Sequence, residues 1–185
     1  MLTFAHQEHI PSYYFDSRNQ DFQLPALSQI EQADVCVIGA GFFGLSAALE
    51  LAEKGKKVIV LEGARVGFGA SGRSGGQAIN GFEEGIDEYI KQVGFDKAHK
   101  LWKMSLEAID IIDERIAKYG IQCDWKKGYA TLALNDRRMD DLIEMEKASH
   151  ENFGYQNMQL WDKAQLKRHL GSDIYVGAVY DSNSG

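Results

Sequence analysis

The run Val35-Cys36-Val37-Ile38-Gly39-Ala40-Gly41-Phe42-Phe43-Gly44, answered by an acid at Glu62, decides how this chain is read. Val35 to Ile38 is a short apolar run of the kind that a parallel strand, covered on both faces, presents. It breaks into Gly39-x-Gly41-x-x-Gly44, after which Leu45, Ala48, Leu49 and Ala52 carry a helical apolar pattern. Lys54-Gly55 stops that helix, and a second apolar strand, Lys57 to Leu61, ends on Glu62. In a dinucleotide-binding turn each glycine has a task. Gly39 makes the tight turn, Gly41 admits a pyrophosphate to the backbone, and Gly44 lets helix and strand pack closely. The amides around Ala40, Phe42 and Phe43 stand at the positive end of the helix dipole and suit a diphosphate. Glu62 follows Gly39 by 23 residues, near the spacing of about 20 for a carboxylate that accepts from ribose hydroxyls. That carboxylate repels a 2′-phosphate, so NADP is disfavoured, while NAD and FAD both remain.

Outward from Glu62 lies a second glycine-rich stretch, Gly63 to Gln77, with five glycines between positions 67 and 76. So many glycines weaken any helix or strand, which predicts a loop whose backbone approaches something closely. Ser71, Arg73, Ser74 and Gln77 place polar groups along it, among Gly72, Gly75 and Gly76. A flexible linker is the plain alternative. Phenylalanine, valine and arginine interrupt the glycines, however, and the loop leaves the strand end that in open α/β sheets borders the binding crevice.

Composition narrows the function classes. A chain of 185 residues with net charge −7 and no basic stripe is a poor nucleic-acid partner. No segment approaches the run of about 20 apolar residues that crosses a bilayer. Cys36 and Cys123 stand far apart without a CxxC pair, which points to a reducing compartment and, by default, the cytoplasm. His6 and His9 have a helical metal-binding spacing, but no second ligand pair accompanies them, and no metal site is expected.

Farther along, Asp96 opens a long amphipathic helix closed by Tyr119-Gly120, with Trp102 on its core stripe. Strands are expected at Ile121–Trp125 and Gly128–Leu134, a helix from Asp136 to Phe153, and a strand from Ile174 to Asp181. A short helix begins at Asp162, where Gln165 completes a capping box and Trp161 is placed to staple onto Leu166. The predicted fold class is α/β: a Rossmann-type βαβ unit followed by the start of an α+β substrate domain. A lead-in spans 1–32, the dinucleotide-binding part 33–120 and the first part of the substrate domain 121–185. Only one parallel crossover precedes Gly185, so the chain reads as the N-terminal portion of a longer protein, truncated relative to a complete dinucleotide fold.

These residues resemble the FAD-dependent D-amino-acid oxidase, glycine oxidase and sarcosine oxidase superfamily. The likeness runs through Ala33 to Gly41, Gly44-Leu45-Ser46, Val60-Leu61-Glu62, Glu114 to Tyr119 and Ile121 to Asp124. It is strongest in Ala70-Ser71-Gly72-Arg73-Ser74-Gly75-Gly76-Gln77. The resemblance implies FAD as cofactor, with Gly39, Ala40, Gly41, Phe42, Phe43 and Gly44 at the pyrophosphate, Glu62 at the adenosine ribose and Gly63 among the cofactor-binding residues. Ser71, Gly72, Arg73, Ser74, Gly75, Gly76 and Gln77 would run beside the ribityl chain and flavin ring. It implies oxidation of the C–N bond of an amine or amino-acid-like substrate, a polyamine derivative among them, by hydride transfer to flavin N5. Oxygen or another acceptor would reoxidise the flavin. A roofing sheet is expected from about Ile121. No residue here is assigned as acid, base or nucleophile. The alternatives are an NAD-dependent dehydrogenase and an inactive nucleotide-binding fragment, and residues 1–185 alone are expected to bind FAD weakly and to oxidise no amine.

Overall fold

The structure is a computed structural model that describes residues 9–20, 24–83 and 85–185. The chain forms two compact units, the first ending at Gly76 and the second running from Gln77 to Gly185. The division falls at the end of the second glycine loop. The long helix expected with the dinucleotide-binding part thus falls in the unit that holds the antiparallel sheet.

In the first unit a short helix α1, Tyr13–Asp16, is capped by the Ser12 hydroxyl, which accepts from the Phe15 amide at 3.2 Å. The start of the described lead-in meets the second glycine loop: the His9 ring sits 5.0 Å from Phe15 and 5.7 Å from Phe68, while residues 24–32 are exposed. His6 lies outside the described residues. Strand β1, Val35–Ile38, pairs in parallel with β2, Val58–Leu61, in the register Val35 to Val58 through Ile38 to Leu61. Helix α2, Phe42–Glu53, crosses between them and stops at Lys54, with Gly55 in the left-handed region at φ 77°. It covers the Val37 face of β1, since a Cβ on Gly44 would stand 3.3 Å from the Val37 side chain. The other face of β1 is open: Cys36 is exposed and Ile38 is 87% exposed. Two strands and one helix do not cover strands this apolar.

The second unit has its own core. Helices α3, Ile86–Val93, and α4, Phe95–Tyr119, precede a three-stranded antiparallel sheet. Its strands are β3, Tyr129–Ala133, β4, Met158–Asp162, and β5, Gly177–Asp181, with β5 central. Helix α5, Asp136–Phe153, and the short α6, Lys163–Lys167, connect them. Trp102, Ala133, Leu142, Tyr155, Met158 and Val179 form one buried cluster. Trp102 is therefore a core residue, as its place on the α4 stripe predicts.

The second unit departs from expectation in three places. Ile121 to Trp125 is not a strand. Asp124 adopts φ 54°, which breaks extended backbone, and the Trp125 indole turns to donate to Asp113 at 2.5 Å. Lys127 pairs with the other oxygen of that carboxylate. Burial raises the Asp113 pKa, but the bonds from Lys127 and Trp125 outweigh it and hold the carboxyl below its ordinary range. Helix α3 and strand β4 were not expected. The Asp162–Gln165 capping box is present in both directions, at 2.7 and 3.1 Å, and Trp161 stacks on Tyr180 and His169.

Candidate functional site

The first unit gathers both glycine turns and the acid around an open cleft of about 460 Å³, of a size that takes a small ligand. Gly39, Gly41, Glu62, Gly63 and Ser71 line it, together with Ala64, Phe68, Gly69 and Ala70. Phe42, Phe43 and Gly44 line an adjoining opening on the helix side, again with Ser71. The cleft is built from the strand ends upward. Gly39 takes φ 99° and donates to the Leu61 carbonyl at 2.7 Å, which turns the chain sharply at the tip of β1. Gly44 sits where a Cβ would lie 2.1 Å from the Gly39 carbonyl oxygen, so only glycine allows α2 to start so near the strand.

Glu62 does more than project into the cleft. Its Oε2 accepts from the Ala40 amide at 2.7 Å and its Oε1 from the Ala64 amide at 2.9 Å. The carboxylate thereby ties the glycine turn to the end of β2. Each oxygen keeps a lone-pair site free for another donor.

The second glycine loop wraps the first. Gly67, at φ 69°, donates to the Ala40 carbonyl at 3.0 Å. A Cβ on Gly72 would stand 2.1 Å from the Gly67 carbonyl oxygen, which makes that glycine obligatory. The 3-10 turn Ala70–Arg73 carries the Ser71 hydroxyl to the start of α2, where it accepts from the Phe42 amide at 3.0 Å. A Cβ on Gly41 would come within 2.9 Å of that hydroxyl. The first-turn amides of Phe43 and Gly44 have no acceptor within a helix.

The remaining residues of the loop do not line the cleft. Arg73 lies over the Phe68 ring at 5.8 Å, and the Ser74 hydroxyl accepts from the Gly76 amide at 3.0 Å, closing a local turn. Gly75 is exposed, Gly76 takes φ 79°, and Gln77 opens the second unit. The sequence reading passed over Ala64 and Gly67, which brace the acid and the turn through backbone groups alone. Among the described residues no cluster of His, Cys, Asp or Glu is arranged to hold a metal, and no helix is long and apolar enough to cross a membrane.

A turn of close-packed glycines, an open helix start and a carboxylate at the tip of the next strand define a dinucleotide-binding βαβ unit. Residues 34–185 match the family described as FAD dependent oxidoreductase, and the chain belongs to that family. Its cofactor is FAD. Over its whole length the chain is 88% identical to "Probable oxidoreductase OrdL" of Haemophilus influenzae, spanning 43% of that relative. Over 96% of its length it is 43% identical to "Gamma-glutamylputrescine oxidoreductase" of Escherichia coli, spanning 42% of it. The chain thus spans less than half the length of these curated relatives. In fold it is similar to L-amino acid deaminase from Proteus myxofaciens, with TM-score 0.70 at 20% identity over 91% of this chain and 36% of that one. It is also similar to glycine oxidase from Geobacillus kaustophilus, with TM-score 0.61 at 20% identity over 83% of this chain and 40% of that one.

The residues present suit the FAD diphosphate and ribose. The glycines keep the backbone within reach, the helix start offers donors, and Glu62 offers acceptors.

Proposed function

We propose that this chain is the cofactor-binding portion of an FAD-dependent amine oxidoreductase acting on the CH–NH group of an amine or amino-acid-like substrate. The likeness to the Escherichia coli enzyme favours gamma-glutamylputrescine or a related polyamine derivative. Oxygen or another electron acceptor is the second substrate. The two free cysteines, Cys36 and Cys123, accord with a reducing, cytoplasmic setting.

The observation that carries the reading is the double use of Glu62. One carboxylate braces the Gly39–Gly44 turn and still presents lone pairs to a ribose. In this reading Gly39, Ala40 and Gly41 let the diphosphate reach the backbone, and Phe42, Phe43 and Gly44 turn their amides toward it. Gly63 continues the ribose wall. Ser71 to Gln77 runs along the ribityl chain and ring, with Gln77 as a hydrogen-bonding partner rather than a proton-transfer group. The flavin supplies the hydride-accepting chemistry, while the protein orients and excludes. An NAD-dependent dehydrogenase shares the βαβ unit but not the FAD family match.

The test is made in a polypeptide of the relatives' full length. Glu62→Ala removes the ribose acceptors and is expected to weaken FAD binding by roughly 1.5–3 kcal/mol, on the order of tenfold or more. Gly41→Val, which crowds both the diphosphate and Ser71, is expected to yield colourless protein. Flavin fluorescence titration and visible absorbance read both variants. An Glu62→Ala protein with undiminished FAD affinity would sink the assignment. Oxygen uptake with gamma-glutamylputrescine, putrescine and glycine side by side then reads the substrate class.

A further inference from the structure

The first unit carries a ladder of ring contacts that runs from the lead-in to the wall of the cleft. The Arg18 guanidinium lies 3.6 Å over the Phe15 ring. The His9 ring stands 5.0 Å from Phe15 and 5.7 Å from Phe68, and Arg73 lies over Phe68 at 5.8 Å. These separations fall where aromatic pairs and cation–π pairs attract, at about 4.5–7 Å and within about 6 Å. Exposure along the segment follows the ladder. His9, Ser12 and Phe15 are half-buried, whereas Ile10, Pro11, Tyr13 and Tyr14 are exposed. The lead-in thus turns one side toward the second glycine loop. Phe68 also lines the cleft that holds Glu62 and Ser71. Its chain neighbours are Gly67, at φ 69°, and Gly69, neither of which has a side chain to steady the ring. The place of the Phe68 ring is therefore set by tertiary partners, His9 and Arg73.

We propose that the lead-in is part of the cofactor site: His9, backed by Phe15, is a positioning residue that holds Phe68 as a wall of the FAD cleft. The inference rests on the reading of that cleft as the FAD site. A ring already held when the cofactor arrives loses no rotamer freedom on binding, whereas a free ring between two glycines must be ordered at that moment. Removing His9 therefore weakens FAD through a residue that His9 itself need not share with the ligand. The loss should appear mainly as faster dissociation, where most affinity differences between related complexes lie.

His9→Ala, Phe68→Ala, the His9→Ala/Phe68→Ala double variant and His9→Phe are made in a polypeptide of the relatives' full length. Tyr13→Ala is the control, since Tyr13 is an exposed residue of the same helix whose ring meets Tyr14. Fluorescence titration of apoprotein with FAD and the FAD dissociation rate are the readouts, beside thermal melts of the apoprotein. His9→Ala is expected to raise the Kd for FAD about three- to tenfold, and Phe68→Ala at least as much. The double variant is expected to match Phe68→Ala, because His9 acts only through that ring. His9→Phe keeps a ring in the ladder and restores most of the affinity, while Tyr13→Ala binds as the wild type does. Phe15→Ala, which removes the backing of His9, carries the test if His9→Ala does not fold. Wild-type FAD affinity in the His9 or Phe15 variant, additive losses in the double variant, or an equal loss in Tyr13→Ala overturns the proposal. Undiminished FAD affinity in both Glu62→Ala and Phe68→Ala overturns the reading of the cleft instead.

Discussion

Among the described residues the second unit packs large side chains into a buried core, whereas the apolar residues buried in the first are only Ala40 and Ala48. In the first unit Ile38 is 87% and Phe43 89% exposed, at the tip of β1 and the start of α2. In the second, Leu142 is 1% and Val179 2% exposed, held in one cluster with Trp102 and Tyr155. The difference follows from architecture. An antiparallel sheet with a helix on one face buries itself on that side, whereas a parallel pair needs cover on both. The contrast teaches where each unit's order comes from. The first is held at its functional end by polar backbone contacts around glycines, the second by side-chain packing.

The sharpest break of that comparison is a matched pair of substitutions. Leu142→Ala in the second unit leaves a cavity and is expected to cost about 2–5 kcal/mol. Gly44→Ala in the first unit adds a single methyl whose carbon would meet the Gly39 carbonyl oxygen at 2.1 Å. That is overpacking against backbone, expected at about 1–3 kcal/mol and with loss of bound flavin. Denaturant unfolding with flavin absorbance as a second probe separates the two outcomes. If Leu142→Ala releases flavin at native conditions and Gly44→Ala keeps it, the division of labour is wrong.

The same division explains what was legible in the sequence. The βαβ unit was readable because its apolar runs are bounded by glycines whose roles are local: Gly39 for the turn, Gly55 for the helix end. The Asp162–Gln165 capping box was readable for the same reason. Helix α3 was missed although Ile86, Tyr89, Ile90 and Val93 carry a helical period between Gly85 and Gly94; the longer pattern beyond Asp96 drew the boundary instead. Strand β4 was missed because Trp161 was read only as a staple, when its ring belongs to the sheet stack with Tyr180. Ile121–Trp125 has the residue types of a strand but is not paired in the sheet, and strand pairing begins only after Gly128 at φ 107°. At the site, the side chains were legible and their bracing was not. That Glu62 holds Ala40, and Ser71 holds Phe42, depends on tertiary placement that no local pattern records.

A pH experiment sharpens the comparison from the second unit's side. Burial, then the hydrogen bond that the phenol donates to the Asp181 carboxylate, push the Tyr155 phenol well above its ordinary value. The folded-state pKa is raised, so the unfolded chain loses this proton first. Stability from this group is complete below about pH 10, the ordinary tyrosine value, and falls as pH rises beyond it. The slope approaches about 1.4 kcal/mol per pH unit while the unfolded phenol is ionised and the folded one is not. Denaturant midpoints between pH 9 and 11.5 read it. Tyr155→Phe is less stable at neutral pH but lacks this alkaline component, and an equal slope in both proteins would assign it to other groups.

The smallest expected effect is also the one whose sign says most about the first unit. Ser71 accepts from the Phe42 amide at 3.0 Å, at the end of α2 assigned to the diphosphate. Without cofactor the hydroxyl acts as a helix cap, and its removal is expected to cost about 0.5–2 kcal/mol. With cofactor the same amide has a phosphate oxygen to serve, and the hydroxyl is free to rotate and donate to that oxygen. Ser71→Ala thus loses the cap in the free protein and a donor in the complex. If the donor outweighs the cap, FAD affinity falls by a few-fold, which places Ser71 among the ligand contacts. If the cap outweighs the donor, the variant binds FAD more tightly, because the cofactor no longer displaces a hydrogen bond, and Ser71 is then a structural brace of the empty turn. Isothermal titration of apoprotein with FAD, beside thermal melts of the same apoprotein, measures both halves. The first result is the one expected, since Gly41 leaves no Cβ between the hydroxyl and the turn. A variant unchanged in both melting and affinity would remove Ser71 from either role and leave the second glycine loop tied to the first by the Gly67 bond to Ala40 and the Glu62 bridge between Ala40 and Ala64.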